Sequence, residues 1–531
     1  MATIAQMQAF RRAAGTLAAL LALCCASADT PDARIAALMA SGDVPAAAQA
    51  ACEWATQEPG NLAALRTCGE LGLRAGMNRA AEDALRSLLF FAPNDPDALL
   101  LLGQALIARS DYAGARSEFE RVIHLQADAP AAYVGLARAT LPDPDAAGDV
   151  VSAAEIALTV APEYAPAHAV MGAALRETGD IDGALQALER ALAIDPEYPL
   201  AHFDLGLTRA IAGDEQAAHD AWRRYLELAP WSDRAWLLRA GLVITGAREL
   251  VDRGFGACYS PDGTRIAFRG RGAGGWGVYV IPAEGEPTET LLWATEDNMQ
   301  SISWRPDGQA ILALVAAQTT VTVRGQERQQ WLRRLMLVPA DGEGEVTQLL
   351  EDQYLGEAAW IPGSEHIGMR SYVQRQGWSI VDFDPATGAT VPITGTDPRL
   401  LYLSPAWSAD GTRMLAVRRS EERPDGTFGY DLLAGPADDF ASARVLYTTE
   451  EQLRGPTFTP DGSVVLFALP AAVAGRSSVW ALPADGSRDP VLVDHLAGPN
   501  VTPSFSPDGR FMLSARGTML VRLTLGGVRD E

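Results

Sequence analysis

The chain has 531 residues, 48% hydrophobic and 21% charged, a balance that fits several folded domains with cores of their own rather than long disordered stretches. Its net charge of −24 disfavours binding to nucleic acid or to an anionic membrane surface through phosphate contacts. All 43 basic residues are arginine, which excludes chemistry that needs a lysine amine: Schiff-base catalysis, phosphate-loop NTP hydrolysis and protein-kinase phosphoryl transfer.

The N-terminus reads as an address. Arg11 and Arg12 precede the apolar run "AAGTLAALLALCC" (13–25), and Ala26-Ser27-Ala28 supplies small residues in an A-x-A arrangement. A charged start, a short apolar core and a small-residue end define a secretory signal peptide over 1–28, cut after Ala28. The run is too short to span a bilayer. Cys24 and Cys25 keep open a second reading, a lipid anchor, although Leu23 is bulkier than the Gly or Ala that lipoprotein signals carry before the modified cysteine. Export to a bacterial periplasm is the expectation, with lipid anchoring to the envelope as the alternative. No later stretch is apolar enough to be a direct membrane span.

From residue 29 the chain keeps a period. Gly69 and Gly103, Gly172 and Gly206, and Pro196 and Pro230 are each 34 residues apart. Within 165–198, "APAHAVMGAALRETGDIDGALQALERALAIDPEY", apolar residues recur three and four apart on both sides of Gly179-Asp180. That pattern predicts a helix, a tight turn and a second helix, with Pro196 just past the end.

The pattern resembles the tetratricopeptide repeat family. Leu102-Gly103, Tyr112, Ala115 and Phe119 fall on its large and small positions in one unit, and Met171-Gly172, Ala184 and Ala191 do so in another. Six units follow, over 28–61, 62–95, 96–129, 130–164, 165–198 and 199–232. In the fourth, Pro142 and Pro144 stand at the inter-helix turn, so its first helix should end early. "WSDRAWLLRAGLVI" (231–244) reads as a capping helix, which stacked repeats need. The resemblance places groove-lining positions on the first helix of each unit, at Arg66, Glu70, Arg74, Gln104, Arg138, Arg176, Glu177 and Phe203, with Leu73, Leu100, Ile107, Leu200 and Leu207 among them. Arginines interleaved with apolar residues suit a peptide that carries carboxylates. By the same repeat alignment Cys52 and Cys68 lie on adjacent antiparallel helices that meet near Gly60, and an oxidising compartment would let them bridge. Cys258 reads as a small buried core residue.

Beyond residue 246 a different phrase repeats: "ACYSPDGTRIAFRG" (257–270), "ISWRPDGQAILALV" (302–315), "PTFTPDGSVVLFAL" (456–469) and "PSFSPDGRFMLSAR" (503–516), with degenerate copies at 358–371 and 405–418. Pro sets the turn, Asp caps it and Gly takes the left-handed position, so each phrase is a hairpin corner. After most hairpins come a third strand, a Gly turn and a fourth strand, as in "RLMLVPADGEGEVTQLL". Four strands per unit signal a propeller blade. The last unit is one strand short, and "ARELVDR" (247–253) has the character of the missing one, closing the ring. These motifs resemble the WD40-like PD40 repeats of the TolB family over about 247–529.

The expected fold is therefore a multidomain α and β chain: a signal peptide (1–28), an α-solenoid of tetratricopeptide repeats with a capping helix (29–246) and a six-bladed TolB-like β-propeller (247–531). His168 and His202 hold the same place in successive repeats, a packing position, and no histidine belongs to a zinc pattern. Asp262, Asp307, Asp410, Asp461 and Asp508 are turn residues rather than a carboxylate cluster, and no G-x-S-x-G elbow is present. No metal site and no cofactor is expected. The functional expectation is a non-enzymatic scaffold of the bacterial envelope that binds a protein or peptide segment through the groove, the propeller face or both. The alternative is a periplasmic enzyme with its site in the propeller channel.

The mature protein is expected to begin at Asp29. N-terminal sequencing of protein recovered from the bacterial envelope checks this, and a lipid-modified cysteine at the terminus would replace cleavage with anchoring.

Overall fold

The computed structural model describes residues 30–323, 326–373, 377–395, 397, 399–420, 426–471, 476–498 and 501–528. The expected signal segment, with Cys24 and Cys25, lies outside the described residues. The chain divides into two compact units between Arg239 and Ala240.

The first unit is six antiparallel helix pairs: α1 (Pro31–Ala40) with α2 (Val44–Gln57), α3 (Leu62–Arg74) with α4 (Asn78–Phe91), α5 (Pro96–Ala108) with α6 (Tyr112–Leu125), α7 (Pro130–Thr140) with α8 (Ala147–Val160), α9 (Ala165–Glu177) with α10 (Ile181–Ile194), and α11 (Pro199–Ile211) with α12 (Glu215–Leu228). A short α13 (Asp233–Arg239) follows. Local chemistry sets the ends. Asp43, Asp111, Asp180 and Asp214 accept hydrogen bonds from backbone N–H groups of the second helix of their pairs. The turn before each of these caps needs a left-handed residue, which Gly42, Gly179 and Gly213 supply and Ser110 provides at φ 63°. In the fourth pair α7 stops after 11 residues where α5 and α9 run 13, and a 3₁₀ turn at Pro144–Ala146 bridges to α8.

Stacking is tightest where a large side chain of one helix meets glycine on its neighbours. Phe119 of α6, buried, lies between Gly103 of α5 and Gly135 of α7, and a methyl group at either glycine would overlap its ring. Trp222 stands in the same relation to Gly206, Leu188 to Gly172 and Leu85 to Gly69. Cys52 of α2 and Cys68 of α3 form a disulfide with Cα atoms 4.6 Å apart. Closing a loop of that size stabilises the first pairs by about 3 kcal/mol in the chain-entropy account.

The second unit is six four-stranded antiparallel sheets, taken in order around a ring. The first strands of the first five are β2 (Phe255–Tyr259), β6 (Asn298–Trp304), β10 (Leu355–Trp360), β14 (Leu401–Trp407) and β18 (Arg454–Phe458). The sixth sheet takes β22 (Ser504–Phe505), β23 (Phe511–Arg516) and β24 (Met519–Gly526) from the end of the chain and β1 (Val243–Val251) from its start. Ala247 pairs with Leu523 and Glu249 with Val521, so the ring is a six-bladed propeller closed by strand exchange between its two ends. The closing strand starts earlier than the segment 247–253 singled out by sequence, because Val243 and Ile244 also pair, with Gly526 and Leu525.

The repeated phrase sits between the first and second strands of each blade. Asp262 Oδ1 accepts from Thr264 N–H (3.1 Å) and from the Ser260 hydroxyl (2.5 Å), and Asp410, Asp461 and Asp508 do the same with Ser408, Thr459 and Ser506. The Ser260 hydroxyl, first among the hydrogen bonds, pulls the Asp262 carboxyl down to about 2. The hydroxyl residue two places before each Asp is thus part of the turn. In the degenerate third copy the left-handed glycine, Gly363, stands one place earlier, where the others have Asp. Cys258, on β2, is the free cysteine among the described residues, and burial pushes its thiol up to about 12.

Gly135→Ala is expected to destabilise the helical unit. The gain in helix propensity, about 1 kcal/mol, is smaller than an overpacking cost of about 1–3 kcal/mol against Phe119. Urea unfolding followed by helical circular dichroism checks it, and adding Phe119→Leu should restore part of the loss.

Candidate binding surfaces

The first helix of each pair carries the residues expected to line a groove, but the structure does not treat them alike. Glu70 and Arg74 of α3 and Gln104 of α5 are exposed. Arg66, one turn before Glu70, is partly exposed and ion-paired with Asp95, the residue that caps α5. Arg138 of α7 is half-buried. Arg176 of α9 was expected as an exposed binding arginine; it is 8% exposed. Its Nη1 donates to Asp204 Oδ1 at 3.1 Å, and its Nη2 to Glu177 Oε1 at 3.1 Å. It ties α9 to α11, and the cause is geometric: it sits where two successive first helices pack, so its charge meets a carboxylate before it meets solvent. Glu177 is exposed and takes the other arm of that pair.

Phe203 of α11 is likewise 8% exposed. Its ring meets Tyr225 edge-on at 5.3 Å, and the Arg234 guanidinium of α13 lies over it at 4.9 Å. The capping helix also reaches back along the solenoid, since Asn78 Nδ2 at the start of α4 donates to Asp233 Oδ2 at 2.6 Å. Arg234 acts electrostatically on Tyr112, Tyr198, Tyr225 and Arg138. Burial pushes all three phenols up and lowers the Arg138 pKa, a shift that Tyr198 and Asp204 oppose and Arg234 reinforces. A capping helix was legible in the sequence; nothing there singles out Arg234 as the residue that covers Phe203. Apart from Glu177, which is held by Arg176, the exposed part of the expected groove is the stretch of α3 and α5.

In the propeller, residues of the first five blades, with Val501 and Thr502 just before the sixth, line a central cavity of about 750 Å³. Among the described residues its charged lining is Arg269, Arg370, Arg419 and Arg454 against one carboxylate, Glu357. None of these was singled out by sequence. Arg269 and Arg370 hold the same place after their turns, on the second strands β3 (Arg265–Gly272) and β11 (Ile367–Val373). They pair across to Phe255 and Gly356 at a bulge in the first strand.

The residues weighed for chemistry have structural partners. His168 and His202 each donate through Nε2 to a backbone carbonyl, of Pro162 at 3.0 Å and of Pro196 at 2.9 Å. Among the described residues no group of three or more His, Cys, Asp or Glu side chains is placed to hold a metal ion.

Residues 172–210 match the family model for the TPR repeat, spanning the end of α9, α10 and most of α11. The other helix pairs of the unit repeat the arrangement of this matched stretch. No curated protein matches the chain. Among solved structures, the tetratricopeptide unit is similar to a thermophilic TPR protein of Thermus thermophilus (22% identity, 30% of this chain and 92% of that one, TM-score 0.28). The propeller is similar to TolB from Acinetobacter baumannii (14% identity, 60% and 71%, TM-score 0.35). It is also similar to an oligogalacturonate lyase in complex with manganese (14% identity, 52% and 93%, TM-score 0.36).

Two arginines of the tetratricopeptide unit should separate in a stability measurement. Arg176→Met leaves the half-buried Asp204 without its cation and is expected to cost about 1–3 kcal/mol. Arg74→Met, at an exposed position, should stay within about 0.5 kcal/mol of wild type. Urea midpoints of the two variants check this.

Proposed function

We propose that the protein is a non-enzymatic scaffold of the bacterial cell envelope, and that the open stretch of its tetratricopeptide groove takes a peptide segment of a partner protein. The observation that carries this reading is the contrast along the groove. Arg176 and Phe203 are engaged by the protein's own residues and Arg138 is half-buried, while Glu70, Arg74 and Gln104 stay exposed on successive first helices. Exposed charged and amide side chains at repeating positions suit an extended or helical peptide, with Arg74 offering a planar fork to a carboxylate. Arg66, held by Asp95, is preset at the edge of this stretch.

The envelope location is supported by the signal-like N-terminus and by the Cys52–Cys68 disulfide, a bond that persists in oxidising compartments. No helix among the described residues is long and apolar enough to cross a membrane. A second reading, an enzyme with its site in the channel, draws on the propeller cavity.

A photo-crosslinking residue at Gln104 is expected to capture a defined partner in the intact envelope. The same residue at Glu189, exposed on α10, should not. Arg74→Glu should remove the Gln104 crosslink without shifting the melting temperature, and an undiminished crosslink in that variant would move the partner off the groove.

A further inference from the structure

The propeller cavity carries a charge opposite to that of the whole protein. The chain is at −24, yet among the described residues four arginines and one glutamate line the cavity. Three of these arginines are placed by devices of the fold. Arg269 Nη1 donates to the Met299 carbonyl of the next blade, and its Nε is buried with no hydrogen-bond partner. Arg370 lies over the Trp378 ring at 4.9 Å, with Nε 3.0 Å from Glu357 Oε2. Arg419 lies over Phe428 at 4.3 Å, and its Nε is buried with no partner among the described residues.

Two first strands make room for the guanidinium groups. A methyl group at Gly356 would overlap Arg370 Nε, and one at Gly256 would sit 3.2 Å from Arg269 Nε. On the same wall Ser404, a non-glycine residue, takes φ 49°, the kind of backbone strain that recurs at ligand sites. Half-buried guanidinium groups in a cavity with one carboxylate among the described residues attract an acceptor-rich anion. Planar forks match carboxylates best.

We propose that the central cavity of the propeller is a receptor site for a carboxylate-bearing ligand, engaged by Arg269, Arg370 and Arg419. The carboxylates come from a small free polycarboxylate or from the acidic side chains of a peptide, and the same forks serve both. The site is independent of the groove reading above, being on the other unit.

The test is calorimetric titration of the full chain with three probes: citrate, a hexaglutamate peptide and a hexaglutamine peptide. Saturable, salt-sensitive binding of citrate, hexaglutamate or both is expected, with none for hexaglutamine. Binding of citrate alone assigns the site to small anions, and binding of hexaglutamate alone assigns it to acidic peptide. Arg419→Met should weaken binding about tenfold or more, the effect of one lost charge-assisted hydrogen bond. Gln300→Glu adds a carboxylate to the cavity wall while keeping every arginine, so it should weaken binding too and decides the matter if an arginine variant fails to fold. Arg74→Glu, on the other unit, should change nothing here. Wild-type protein that binds neither carboxylate probe overturns the proposal, as does binding that Gln300→Glu leaves unchanged.

Discussion

A helix pair or a four-stranded blade has two apolar sides and no means of covering both, so each must bury one side on its neighbour. In the helical unit the requirement is met by interlocking: Phe119 of one pair occupies the space left by Gly103 and by Gly135 of the next. In the propeller it is met by closing the ring, where Leu250 and Val251 of β1 pack with Leu513 and Leu520 of the last blade and with Phe268 of the first. The rest of the structure depends on this burial against neighbours. It fixes the order of the elements, leaves the first helices on one side of the solenoid, and brings strands of successive blades around one cavity.

The same constraint explains where the charges end up. A charge on a first helix near the packing line of two pairs is drawn into that line, as Arg176 is by Asp204. A charge one position further along the repeat, as at Arg74, stays in water. At the C-terminal end α13 supplies the neighbour that a seventh pair would have supplied, and Arg234 then lies on Phe203. In the propeller the blades bring arginines from their first and second strands to one cavity. Each costs desolvation that a single bond to a carbonyl or a ring only partly offsets.

Much of the fold was legible because its signals are local. The period of glycines and prolines marks the helix ends, and the S-P-D-G phrase marks the hairpins. The early end of α7 follows from Pro142 and Pro144, and the cysteine pair follows from adjacent helices. The site was less legible. Arg66, Glu70, Arg74 and Gln104 were found by repeat position, and so were Arg138, Arg176 and Phe203, yet repeat position does not say which of them a neighbour will cover. The cavity arginines left no signal above that of ordinary strand residues.

Sequence by itself determined the two repeat architectures, their number of units and the strand that closes the ring, because each rests on torsional preferences and apolar spacing within one repeat of the chain. Only the tertiary structure decided which polar residues remain available. Burial, pairing and cavity walls arise between elements far apart in the chain, as when Asp233 meets Asn78, or when Arg269 and Arg419 come to line the same cavity. Coulomb and desolvation energies depend on those distances in space, which a repeat period does not contain.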